Sequence, residues 1–379
     1  MSERDALEKA IKDGVLSPEQ GEKLQGYLAK GGDPYGSEDP ENLSFLASFN
    51  DIFLTFGIMI LMAGATLLIG WVTWPILPKS LIGPSIALIV ASIAWAMAEY
   101  FCKRRRLLLP SMSLAAVFSL MVGLGVGAIL VKLLSENAGQ ELLRAAQQGA
   151  QEEDIPGLVF KKLFETSYSS IFAGAVAALV FYFRFKLPFA LFLIAMSGAA
   201  LFYTFTFQNA GFTGVSASAM LIAGLATLAV AMFFDARDPA RRTIQSDNAF
   251  WLHLAAAPQI MLGMRFMIMG DSVLSEQGSS VMMLIGLLGV GVLSLALNRR
   301  ALIFSGLITF TLVVFSLVQK SGLSGVEMIA LPLVIVGGSV VLLGAGWKTA
   351  RNGVLKFIPD SGVWGRLFPP EHVLSGKDK

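Results

Sequence analysis

Apolar residues along this chain fall in runs of about bilayer length, separated by short polar connections, and the pattern holds from residue 52 to residue 347. A helix rising 1.5 Å per residue needs roughly 20 apolar residues to cross a hydrocarbon core about 30 Å thick. Ten runs meet or approach that length: 52–71, 81–101, 107–130, 168–183, 187–207, 212–234, 249–269, 280–297, 302–318 and 326–347. The fourth, eighth and ninth are short, but each adjoins a longer run across a tight connection, so each is read as one arm of a helical hairpin. The pattern predicts an all-α, polytopic transmembrane helix bundle of about ten spans.

Lys and Arg then orient the bundle, because basic residues in short connections stay on the cytoplasmic side. They crowd into every second connection: Lys103 to Arg106, then Arg184 and Lys186, then Arg237, Arg241 and Arg242, then Arg299 and Arg300. The alternate connections hold a lone Lys79, no charge at all, the two acids Asp271 and Glu276, or a lone Lys320. Both tails fall on the basic side, so both termini are expected in the cytoplasm.

Composition agrees with lipid as the solvent. Hydrophobic residues make up 55% and charged residues 15%, with a mean hydropathy of +0.66, which a water-soluble domain of 379 residues cannot accommodate. The net charge of +2 says little, since sign is distributed by side of the membrane. A single cysteine, Cys102, excludes an intramolecular disulfide, and two histidines, His253 and His372, are too few for a structural zinc site. No metal, cofactor or nucleic acid is expected.

Three smaller pieces flank or interrupt the bundle, whose expected parts are 1–48, 49–348 and 349–379. In the first, Ala6, Leu7, Ala10 and Ile11 form one short apolar stripe and Gly14 stops that helix. Ser17-Pro18-Glu19-Gln20 reads as a capping box opening a second helix, with Leu24, Tyr27 and Leu28 as its stripe and Gly31-Gly32 as its stop. The hairpin is too small to hold a core alone, so it is expected to dock on the bundle, on a second copy or on a partner. A third helix from Asp39-Pro40-Glu41 would lead into the first span, with Asn50 and Asp51 at headgroup level. Past the last span, Trp347, Lys348, Arg351, Lys356, Trp364, Arg366 and Phe368 mix aromatic and basic side chains, as expected of a segment anchored among anionic membrane lipids. On the outer side, 135–167 carries six acids and three bases, and its apolar residues fall at helical spacings. Two amphipathic helices lying on the outer surface are expected there, as a connector, a lid or a dimerisation element.

Familiar catalytic patterns are missing. Gly123, Gly125 and Gly127 lie inside an apolar run with no strand before them and no lysine to meet a phosphate, so they read as helix packing. Small residues at Ser170, Gly174 and Ala178, and at Ala219, Ala223 and Thr227, read as packing seams too. No nucleophile elbow, metal-binding histidine pair or P-loop occurs, and an enzyme is not the expectation.

What remains is polar residues inside spans, where they are costly. The seventh span is richest: Asp247, Asn248, Trp251 and His253 near its cytoplasmic end, Gln259 after Pro258 in the middle, and Arg265 toward the outside. Pro258 frees a carbonyl near Leu254 and suits a kink beside a cavity; Pro332 in the tenth span is a second kink candidate. Histidine ordinarily titrates near neutral pH and His253 could do so, although a lone buried histidine also serves as a hydrogen-bonded core residue. Arg265 and Glu327 should lie at similar depth and could form an ion pair between the seventh and tenth spans. His253, Gln259, Arg265, Glu327 and Trp251 are therefore the candidate cavity residues.

Three stretches, "AIKDGVLSPEQGEKLQGYL", "FNDIFLTFGIMILMAG" and "FDARDPARRTIQSDNAFWLHLAAAP", resemble a group of uncharacterised bacterial inner-membrane proteins that carry a domain of unknown function. The resemblance implies a polytopic helical fold in a bacterial inner membrane and no particular activity. It draws attention to Asp235 to Arg242 and Trp251 to His253. Two functions fit the sequence: translocation of a small solute, ion or lipid through the bundle, or a non-transporting scaffold or sensor acting through the amino-terminal hairpin. A hydrated cavity at His253, Gln259 or Arg265 would favour the first, solid packing there the second.

Overall fold

The computed structural model describes residues 11–21, 23, 49–147, 154–210, 214–239, 241, 243–269, 277–359 and 362–369. The chain divides into two compact units, Met1–Asn42 and Leu43–Lys379. In the first, a helix ends after Lys12 and Gly14 takes a positive φ of 72°. The next helix opens with the expected capping box. The Gln20 N–H donates to Ser17 Oγ at 3.2 Å, and the Ser17 N–H donates to Gln20 Oε1 at 3.0 Å. Gly21 lies against the side chain of Ile11, where a Cβ would collide. The stripe residues Leu24, Tyr27 and Leu28 lie outside the described residues.

The second unit is helical in every described element. Its helices are α1 (Phe49–Thr73), α2 (Lys79–Ala98, continued by a π-helical turn Glu99–Arg105), α3 (Leu108–Gln147), α4 (Asp154–Phe185), α5 (Phe189–Ala210), α6 (Gly214–Arg237), α7 (Ile244–Met269), α8 (Gln277–Leu297), α9 (Ala301–Lys320), α10 (Glu327–Leu355) and the short α11 (Gly362–Leu367). Each of the ten long helices overlies one apolar run. Eight of them are long and apolar enough to cross a membrane, which makes this a multi-pass membrane protein. The other two are α7, which is long but interrupted by polar residues, and α8, whose apolar part is the shorter stretch Val281–Leu297.

The connections at the basic end share one backbone device. Arg106, Lys186, Arg241 and Asn298 each take a positive φ between 52° and 54°, so all four turns contain a left-handed residue that is not glycine. A long basic or amide side chain there can reach water or a neighbouring carbonyl, and that compensates a conformation glycine would adopt without strain.

Two expectations need correction. The stretch 135–167 does not form separate helices lying flat: α3 runs unbroken to Gln147 and α4 begins at Asp154. The apolar period ends near Leu134, but no Pro or Gly follows until Gly139, and Ser-Glu-Asn-Ala continues a helix that needs no lipid to satisfy its backbone. The carboxy-terminal segment is also not wholly interfacial. Trp347, Arg351 and Phe368 are buried, α11 packs on α6, and Arg351 Nη2 donates to the Pro369 carbonyl at 2.6 Å. Lys348, Lys356, Phe357, Trp364 and Arg366 stay exposed, as an anchor would.

Two apolar cores hold the unit. The first joins α1 to α4 through Ile58, Met62, Val90, Ala94, Leu114, Ala115 and Phe181, with Leu187 after α4. The second joins α6 to α9 through Leu228, Ala256, Ala257, Ile260, Met261, Met283, Leu297, Leu302 and Val313, with Phe368 folded against them. Within each half, small residues let backbones touch. A Cβ on Gly123 would lie 2.7 Å from the Ser170 carbonyl of α4, and one on Gly224 would lie 2.7 Å from the Ile260 nitrogen of α7.

Candidate functional site

Helix α7 is polar because it lies among helices rather than against lipid. It packs on α5, α6, α8 and α9, and its contact with α6 is the most extensive among the described helices. Ala255, Ala256 and Ala257 are fully buried, and Gly263 meets the backbone of Leu221. Gln259 sits in this seam with 1% of its surface exposed. Its Oε1 accepts from Thr227 Oγ1 of α6 at 3.1 Å, and its Nε2 points to the Ala195 carbonyl of α5 at 3.5 Å. One amide thus ties three helices, and the mid-depth region around it is closely packed.

One turn of polar chemistry lies closer to the basic end. Asp235, at the last turn of α6, is buried and faces Arg299 from the α8–α9 turn. The guanidinium grips the carboxylate with two prongs: Nη2 on Oδ1, and Nε on Oδ2 at 3.2 Å. Arg299 Nη2 also donates to Ser246 of α7, to its Oγ at 3.1 Å and its carbonyl at 3.3 Å. The arginine carbonyl in turn accepts from Ser294 Oγ of α8 at 2.6 Å. His253 of α7, fully buried, places Nε2 3.6 Å from Asp235 Oδ2. Arg299 from the α8–α9 turn and His253 from α7 thus converge on one carboxylate of α6, and Ser246 and Ser294 hold the arginine in place.

The turns around this cluster are fixed by the same residue types. Arg241, in the α6–α7 connection, donates from Nη1 to the Asn298 carbonyl at 2.8 Å and from Nη2 to the Leu297 carbonyl at 2.6 Å. Those are orphan carbonyls at the negative end of α8, where a cation is favoured. Asn298 accepts at Oδ1 from Trp347 Nε1 of α10 at 2.8 Å, and the Arg300 guanidinium lies over the Trp347 ring. Thr243 caps α7, its Oγ1 accepting from the Gln245 N–H at 3.2 Å, while Asp238 Oδ2 accepts both from the Thr243 N–H at 2.7 Å and from its hydroxyl at 2.8 Å.

The other sequence candidates go elsewhere. Trp251 is half-buried and packs edge-on to Phe189 of α5 at 4.9 Å between ring centres. Arg265 lies over the ring of Phe266, and Glu327 is exposed at the start of α10; no ion pair joins them. Equal depth did not make them neighbours, because α10 packs on α8 and α9 and makes no comparable contact with α7. For the same reason Pro258 and Pro332 do not face each other across a packed pair, and both lie inside helices that run through them unbroken. Arg299, Asn298 and Ser246 were not sequence candidates. The signal that could have found them is Asp235, an acid at the end of an apolar run on the side of the molecule where Lys and Arg are concentrated.

The fold and the site together define an all-helical, multi-pass membrane protein with a buried charge cluster at one end of its second half. Compared with protein-family models, curated proteins and solved structures, the chain matches none.

Proposed function

We propose that this chain is a ten-span protein of a bacterial inner membrane, with both termini in the cytoplasm, that translocates a small solute or ion and is held here closed at its cytoplasmic end. The observation that carries the reading is the Asp235–Arg299–Ser246 tie. It places an ion pair, 7% and 3% exposed, among helices that face lipid. Desolvating two such charges costs several kcal/mol each, and apolar side chains would hold the same helices at least as well. A bundle that must release its helices has a use for a charged tie, because its two halves can each be solvated when they part. The basic turns on that side support the cytoplasmic assignment, and the close seam between α6 and α7 supports a closed form.

The test is solvent accessibility along α7, using single cysteines from Ala249 to Met269 in a background lacking Cys102, labelled from each side. With Arg299→Gln, the face carrying Ser246 and His253 should label to mid-depth, while the intact tie keeps it silent. Labelling that stops within one turn of either end in both backgrounds removes the transport reading. The non-transporting sensor or scaffold then stands, with the solid packing at His253 and Gln259 and the capped amino-terminal hairpin as its support.

A further inference from the structure

We infer that His253 and Asp235 form a proton-binding site, in which one exchangeable proton lies between His253 Nε2 and Asp235 Oδ2. The role assigned to this proton rests on the function proposed above, for it becomes the ion that works the tie; its existence does not rest on that reading.

The other ring nitrogen fixes the tautomer. His253 Nδ1 lies 2.7 Å from the Ala249 carbonyl, one turn back on α7. A carbonyl only accepts, so Nδ1 carries a hydrogen in every protonation state of the ring. In the neutral ring Nε2 is then a bare lone pair. It is fully buried and has no hydrogen-bond partner among the described residues. What it faces is a carboxylate oxygen at 3.6 Å. Two acceptors opposed at this depth repel each other, and neither can turn away: the Nδ1 bond fixes the ring, and the two prongs of Arg299 fix the carboxylate. A proton on Nε2 converts the repulsion into a charge-assisted N–H···O bond, which would close to about 2.7–2.9 Å.

Burial and the charge count together make the proton exchangeable. Burial works first against the charged ring, and the charged groups acting on it are Asp235 from α6, Arg299 from the α8–α9 turn and Arg241 from the α6–α7 connection, one anion against two cations. Asp235 attracts the proton at close range and the guanidiniums repel it. Uptake takes the proton from hydronium, leaves water behind and forms one N–H bond; no other bond changes. The new donor then shares Oδ2 with Arg299 Nε, so protonation weakens one prong of the grip on the α8–α9 turn.

The chain has two histidines, so His372→Gln leaves His253 as the single reporter. The full chain with ¹⁵N-labelled histidine, in lipid nanodiscs, would be followed by NMR of the ring nitrogens from acid to alkaline pH. Nδ1 should stay protonated throughout while Nε2 gains its proton in one step. In Asp235→Asn the midpoint should fall by about one pH unit or more, a tenfold loss of proton affinity. Asp235→Glu should keep the step at a displaced midpoint, and it serves if the asparagine variant does not fold. An Nε2 that never changes state, or a midpoint common to wild type and variants, overturns the site. Cysteine labelling of α7 at the two ends of the pH range separates the two proposals. A proton step without a change in labelling keeps the site and removes its role in the tie. Labelling opened by Arg299→Gln without any Nε2 step keeps the tie and removes the proton.

Discussion

Helices α1 to α4 bury an apolar and aromatic core, whereas α6 to α9 bury charged and amide groups among alanine and methionine. In the first half Trp95, Phe118, Phe181 and Phe185 meet ring to ring at 4.5–6.1 Å, and its buried polar residues among those described are the serines Ser111 and Ser119. In the second half Asp235, His253, Asn298 and Arg299 are all buried. The ion pairs of the two halves repeat the contrast. Glu99 and Arg184 meet at 2.9 Å with about a third of each side chain exposed, while Asp235 and Arg299 are almost wholly covered. In lipid, apolar side chains gain nothing by leaving their solvent, so the first half is held by shape. The second half is held by groups that lipid cannot solvate, which are strong when paired and costly when parted.

The sharpest way to break this comparison is to remove one buried partner. Arg299→Met strands the Asp235 carboxylate and should cost about 3–5 kcal/mol, read from an unfolding titration in mixed micelles. If it costs no more than the first-half counterpart, Glu99→Gln, the two halves do not differ in kind. Next in size is the α6–α7 seam. A Cβ on Gly263 would fall 2.5 Å from the Leu221 nitrogen and 2.7 Å from its Cα, and both belong to backbone that cannot turn aside. Gly263→Ala should therefore lose about 1–3 kcal/mol, seen as a lower melting temperature of the detergent-solubilised protein. Glu99→Gln itself should change stability by about 0–1 kcal/mol, because water and salt already screen the pair; its small effect should shrink further at high ionic strength. The smallest change is expected at Gly338 of α10, which has no neighbour within 4 Å. Gly338→Ala should stay within about 0.5 kcal/mol of wild type, with expression and melting unchanged.

The helices were legible because lipid imposes a length on them, and the ten apolar runs lie where the ten long helices do. The extension of α3 was not, because a hydrophobic period reports burial, and a helix outside lipid can continue on backbone bonds alone. Within the site, His253 and Gln259 stood out as polar residues in an apolar run, and Asp235 lay in a stretch to which the family resemblance draws attention. Arg299 did not stand out, because a basic residue at a connection is first a sign of topology, and the sequence does not separate that role from burial. The proposed Arg265–Glu327 pair failed for a complementary reason. Topology gives depth along the bundle but not position around it, and an ion pair needs both.

The unbroken α3 helix has a mechanical consequence. Its 40 residues span about 60 Å, roughly twice the hydrocarbon thickness, and it crosses α4 where Gly123 and Gly127 lie against Ser170. Some twenty residues, about 30 Å, continue past that crossing to Gln147. A helix is stiff over this distance, so the crossing is a fulcrum and the overhang a lever arm. A tilt of about five degrees at the fulcrum carries the tip between about 2 and 3 Å, and a load on the tip is returned to the crossing as torque.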